Sequence, residues 1–414
     1  MRISSIISEY NPFHEGHKYH MENNKKITNS DFTVVIMSGN FTQRGTPAII
    51  DKYTRTKQAL YHGADLVLEL PVCFATASAE VFAFGAVSIL DKLGVVDSLV
   101  FGSECGDIDS IKNVADFLLD EPLEYKEHLQ FFLKQGFSFP KARTEALKIF
   151  FPDLASDFLS SSNNILGIEY CKALKYFNSS IIPMTITRKD NLYNDEQLSE
   201  TGKLSSATAI RKTLLDSKAL HPFETLSDHM PPKSLAVLKE NWGVYSPISS
   251  KDFSTLLKYK LLLENRDSLV QYTDVTSDLA DRIYNNLNHY KDFDSFCNLL
   301  KTKELTYTRI ARSLLHVLLD IKRTDFNVFK NAGYGQYARI LGFRKEASPL
   351  LHEIKKHSSI PLVSKLSDSA KELDGITLDM LTKDVQASHI YESVISDKFG
   401  CDFRNEFQRR LVII

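Results

Sequence analysis

The chain has 414 residues, more than one typical core holds, which implies two or three domains. Hydrophobic residues make up 43% and charged residues 25%, as in ordinary globular proteins, and no run is apolar enough to suggest a membrane span. Net charge is −2, yet residues 301–365 hold 13 Lys and Arg against 5 Asp and Glu, a local surplus that suits either a polyanionic partner or a solvated helical face.

The N-terminal "RISSIISEY" (2–10) reads directly as a strand, with no signal-peptide core or cleavage site before it. "DFTVVIMSG" (31–39), "ADLVLELP" (64–71), "DSLVFGSE" (97–104) and "SIIPMTIT" (180–187) repeat the pattern of short apolar, β-branched runs. Helical stretches lie between them, at about 17–27, 52–62, 76–93, 109–119 and 164–177. Strands alternating with helices predict a parallel sheet covered on both faces, with ligands at the carboxyl ends of its strands. "HPFETLSDHMPPK" (221–233) carries three of the 13 prolines and reads as a linker; beyond about Ser234 the pattern is helical almost throughout. The expected fold is therefore α/β, a parallel Rossmann-like sheet over 1–220, followed by a mainly α-helical domain over 221–414. Five scattered cysteines without a CxxC pair point to reduced thiols and a cytoplasmic setting.

Five segments can carry chemistry. "SEYNPFHEGHKYH" (8–20) falls where the first strand hands over to the first helix. His14 and His17, three apart around Gly16, can face one spot at a helix N-terminus, where free N–H groups and the helix dipole favour anions. A metal site and structural histidines are the competing readings; zinc lacks a third ligand, since no HExxH helix or cysteine partner is present. "SGNFTQRGTPAIIDKYTR" (38–55) places Arg44 in a Gly-bounded loop, with Lys52 and Arg55 on the next helix as functional or surface cations. "FGSECGD" (101–107) lets a ring or ribose approach the backbone, and "SSNNILGIEY" (161–170) caps a helix or touches a nucleotide. "TRKDNLY" (187–193) with "KLSSATAIRK" (203–212) offers hydroxyls, N–H groups and Arg211 to an anion.

The H-x-G-H junction together with "SSATAIR" (205–211) resembles the HIGH-type nucleotidyltransferase superfamily. The longer strings "EYNPFHEGHKYH", "MSGNFTQRGTPAIIDKYTR", "HGADLVLELP" and "SSNNILGIEY" narrow this to a likeness with bacterial tRNA(Met) cytidine acetate ligases. "RIARSLLHVLL" (309–319) and "YARILGF" (337–343) extend the likeness over nearly the whole chain. Two departures are modest: the reading "FGSECGD", and Thr46 where many relatives carry an acidic residue.

The resemblance implies ATP-dependent activation of acetate as acetyl-adenylate, then acetyl transfer to N4 of the wobble cytidine of elongator tRNA(Met). It implies an ATP-binding loop of Ile7, Ser8, Glu9, Tyr10, Asn11, Pro12, Phe13, His14, Glu15, Gly16, His17, Lys18, Tyr19 and His20. Further nucleotide contacts are expected from Gly102, Asn163, Asn164 and Arg188, and from Lys189, Ser205, Ser206 and Arg211 beside the phosphates. His14, His17 and Arg44 are the expected catalytic groups; Mg²⁺ arrives with ATP and no resident metal is expected. Arg309, Arg312, Lys322, Arg323, Arg339, Arg344 and Lys345 are expected to hold tRNA backbone. A nucleotidyltransferase for a small phosphate ester or acid, and a non-catalytic RNA-binding protein on the same scaffold, are the rival readings.

Overall fold

The computed structural model describes residues 1–154, 157–188, 198, 205–216 and 221–414. Eight strands form one sheet in the order β5-β4-β1-β2-β3-β6-β7, with β8 pairing β6. They are β1 (Ile3–Ser8), β2 (Phe32–Ser38), β3 (Leu66–Leu70), β4 (Ser98–Ser103), β5 (Ile182–Thr187), β6 (Ala338–Phe343), β7 (Leu362–Val363) and β8 (Val412–Ile413). The first five are mutually parallel and lie where the apolar runs predicted them. β6 joins β3 antiparallel, so the second half supplies strands as well as helices. "YARILGF" forms β6, too short a run for periodicity to separate strand from helix.

Alternation along each central strand feeds two cores. Ile3, Ile7, Val34, Ile36, Leu66 and Leu68 face the larger one, while Ile6, Val35, Met37 and Val67 face the smaller. Ser4 and Ser5 of β1 stay buried because each finds a partner: Ser5 Oγ donates to the Ser98 carbonyl at 2.8 Å, and Asn24 Nδ2 donates to Ser4 Oγ at 2.8 Å.

After β1 the chain winds β2 and β3 to one side and β4 and β5 to the other. The switch point thus lies between β1 and β4, where a crevice opens beyond the carboxyl ends of the strands. Helix α1 (Glu15–Thr28) starts there, and α2 (Lys52–Tyr61) follows the loop after β2. The predicted linker is not a free tether. Leu226 and Met230 are buried with Ile49, Ile50, Ile210 and Leu235, forming a third core under the helix Ala207–Leu215. Among the described residues no helix is long and apolar enough to cross a membrane.

Candidate active site

The loop after β1 turns sharply at Tyr10, a non-glycine residue at φ +47°. It delivers His14 to the N-cap of α1. There His14 Nδ1 accepts the Gly16 N–H at 3.1 Å, and His17 Nδ1 accepts the His14 N–H at 3.3 Å. The capping box is made of two imidazoles, their rings 3.8 Å apart between centroids. Because each Nδ1 is an acceptor, each neutral ring carries its proton on Nε2 and offers that N–H as a donor. Burial lowers the His14 pKa to about 3, helped by Arg188 and Arg211. Burial, then the charge of His14, lowers His17 well below the ordinary imidazole value. Burial thus favours the neutral form of both rings. Burial also lowers His20, to about 4, and its buried Nε2 has no hydrogen-bond partner among the described residues.

The crevice gathers residues from every segment singled out in the sequence. Ile7, Ser8, Glu9, Tyr10, Asn11, His14, Gly16, His17, Tyr19 and His20 line it, as do Arg44, Gly102, Asn163, Arg188, Ser206 and Arg211. Arg211 Nη1 donates to the Asn11 carbonyl at 2.7 Å, joining the "SSATAIR" helix to the histidine loop. Arg188 Nη1 donates to Asn163 Oδ1 at 3.3 Å, and Gly102 leaves room for it: a Cβ there would stand 3.2 Å from Arg188 Cγ. Arg44 sits in a tight loop closed by the Gly45 N–H on the Thr42 carbonyl at 2.9 Å. Gly45 has φ +77°, and a Cβ there would run into the backbone of Arg312, so the helix Tyr307–Leu318 holds this loop in place.

Other expected residues stand behind the crevice. Asn164 is buried, accepting the N–H groups of Glu104 and Cys105 and donating to the Phe158 carbonyl, so it shapes the turn after β4. Ser205 Oγ lies 3.0 Å from His229 Nδ1, and the His229 carbonyl accepts the Glu15 N–H at 3.1 Å. Pro12, Phe13, Glu15 and Lys18 complete the loop but not the lining. Lys189 falls outside the described residues.

Sequence reasoning passed over the apolar end, built by Phe82, Phe101, Leu166, Tyr170 and Ile186. Asn163, Leu166 and Tyr170 stand at i, i+3 and i+7 of one helix, a spacing that marks one face. Lys52 and Arg55 are fully buried rather than surface cations, and neither lines the crevice. Arg55 donates to the carbonyls of Glu9 at 2.7 Å and Ser38 at 2.9 Å, and to those of Gly39 and Ile50, pinning the ends of β1 and β2 together.

One expected tRNA contact is corrected. Arg339 is 3% exposed and bonded to Glu69 and Glu406, so it cannot reach a nucleic acid. Of the others, Arg312 pairs with Asp274 at 3.1 Å and Arg323 donates to the Val275 carbonyl at 2.9 Å. Among the described residues no group of three or more His, Cys, Asp or Glu side chains could hold a metal ion.

A helix-capping histidine pair at the switch point of a parallel sheet, faced by three arginines, defines a nucleotidyl transferase of the HIGH class. The HIGH Nucleotidyl Transferase family model accordingly matches residues 1–404. The tRNA(Met) cytidine acetate ligase of Clostridium perfringens (strain SM101 / Type A) is 44% identical over 399 residues, 94% of this chain and 95% of the relative. That of Acetivibrio thermocellus is 40% identical over 417 residues, covering all of both chains. Crystal structures of Thermotoga maritima TmcAL, apo and bound with alpha-thio ATP, superpose with TM-scores of 0.92 and 0.90 at 33% identity over both full chains. The chain belongs to the tRNA(Met) cytidine acetate ligase family.

Proposed function

We propose that this chain is an ATP-dependent ligase that activates acetate as acetyl-adenylate and transfers the acetyl group to N4 of the wobble cytidine of elongator tRNA(Met), forming N4-acetylcytidine. The observation that carries this reading is full-length similarity to ligases of that name, including a structure bound with alpha-thio ATP. The crevice suits the chemistry. Its apolar end, lined by Phe82, Phe101, Leu166, Tyr170 and Ile186, fits a base, and its donor end of His14, His17, Arg188 and Arg211 fits phosphates.

In the first step an acetate oxygen attacks the α-phosphorus and pyrophosphate leaves. The Nε2–H groups of His14 and His17 donate to phosphate oxygens where charge develops, without having to lose a proton. Arg188 and Arg211 hold the departing pyrophosphate, and Arg44 meets acetate or the incoming cytidine. Mg²⁺ enters with ATP, held chiefly by the phosphates. In the second step N4 attacks the acyl carbon and AMP leaves.

Residues 1–220 carry the nucleotide chemistry, and 221–414 present the tRNA-binding surface. Of the expected backbone contacts, Arg309, Lys322, Arg344 and Lys345 are retained. The reaction belongs in the cytoplasm, where its tRNA is. The test is incubation with ¹⁴C-acetate, ATP and total tRNA, followed by nucleoside analysis. Labelled N4-acetylcytidine that requires ATP is expected; label confined to a small-molecule product, or none, would return the site to the small-ester alternative.

A further inference from the structure

Among the described residues lining the crevice, Glu9 is the one acidic side chain. Its position is fixed twice. The Glu9 carbonyl accepts Arg55 Nη1 at 2.7 Å, and its carboxylate Oε1 accepts the Gln43 N–H at 2.7 Å. The carboxylate therefore bridges the histidine loop and the loop that carries Arg44. Its Oε2 makes no hydrogen bond or ion pair to any described residue.

A carboxylate in a cleft for ATP repels the phosphates, so its presence needs a compensating task. The adenylation step offers none, because acetate arrives already ionised and no proton is removed. The transfer step does: when N4 bonds to the acyl carbon, the nitrogen must lose a proton. His14 and His17 are unsuited to take it, because their Nδ1 atoms are committed to backbone N–H groups and each neutral ring carries its proton on Nε2.

The geometry points to Glu9 as the general base of acetyl transfer, an assignment that rests on the acetylation reading above. N4 attacks the carbonyl carbon of acetyl-adenylate and the C–N bond forms. The bond from that carbon to the phosphate oxygen breaks, and AMP departs with the electron pair. The N4 proton passes to Glu9 Oε2 and from there to solvent.

Glu9→Gln tests this, because its amide oxygen still accepts the Gln43 N–H while the base is gone. Two rates are compared with wild type: acetate-dependent ATP–pyrophosphate exchange, and single-turnover transfer from preformed acetyl-adenylate to tRNA across pH. Transfer is expected to fall at least about 100-fold further than exchange, the usual scale for losing a general base. Transfer within a few-fold of wild type overturns the assignment, leaving Glu9 only an acceptor for Gln43. So does a parallel fall in exchange, which would make Glu9 a ligand of the ATP·Mg²⁺ complex. A wild-type chain that exchanges pyrophosphate but labels no tRNA overturns the acetylation reading, and this assignment with it.

Discussion

Two clusters of charge lie close together in this fold and behave in opposite ways. Among the described residues of the crevice, three imidazoles and three arginines face a single acid, Glu9. Behind it, Lys52 Nζ sits 2.7 Å from both Glu69 and Glu406, and Arg339 bonds the same two carboxylates at 2.9 and 2.5 Å, all four side chains at most 4% exposed. The first cluster carries more cations and donors than acids among the described residues. The second is internally neutral and ties α2, β3, β6 and the C-terminal segment into one unit. Cations close in sequence thus line the crevice at Arg44 and serve architecture at Lys52.

The largest expected effect breaks the neutral cluster. Lys52→Met leaves Glu69 and Glu406 facing one guanidinium instead of two cations. Loss of one partner from a buried ion pair costs about 3–5 kcal/mol, read as a lower urea midpoint. Adding Glu406→Gln should recover part of the loss, since the cluster is then neutral again. A Lys52→Met protein within about 1 kcal/mol of wild type would erase the distinction between the two clusters.

The converse variant acts on the crevice. His17→Ala should lower acetate-dependent exchange by about 10²–10³-fold, the usual effect of removing one preorganised donor. The stability loss should be about 1–3 kcal/mol, because the cap bond from the His14 N–H and the ring contacts with Tyr10, Phe13 and His14 disappear together. Near-normal exchange would remove His17 from the chemistry.

β1 to β4 were legible because each is an apolar run buried on both faces, β5 because it is a short β-branched run although it lies half-exposed, and His14 and His17 because strand, Gly16 and helix start are all local signals. Arg211 was legible for the same reason, as part of a helix-starting Ser-Ser segment. What stayed hidden depends on partners far along the chain. Nothing near Arg339 announces that Glu69 and Glu406 await it, so a basic stretch in sequence does not make a basic surface. Periodicity also cannot tell a short buried strand from a helical turn, as at β6. The segment 221–233 looked like a tether because proline marks breaks, while the burial of Leu226 and Met230 comes from contacts with Ile49 and Ile210.

The smallest effect sharpens the comparison through pH. Unfolding exposes the crevice imidazoles, which then take up protons below their ordinary value of about 6.5, whereas the folded chain keeps His14 neutral to about 3 and His20 to about 4. Below pH 6.5 the unfolded state therefore binds more protons, so stability is full above that pH and falls as the solution is acidified towards 4. Each such imidazole contributes about 1.4 kcal/mol per pH unit in that window. His14→Asn keeps an N-cap acceptor for the Gly16 N–H and removes one of these groups. Its stability, followed by thermal or urea unfolding between pH 6 and 4.5, should decline with acid less steeply than wild type by about that amount per unit. ATP should flatten the wild-type slope as well, by placing phosphate charge beside the rings. An unchanged slope in His14→Asn would mean that His14 is not held neutral in the fold, and the contrast between the two clusters would lose its clearest signature.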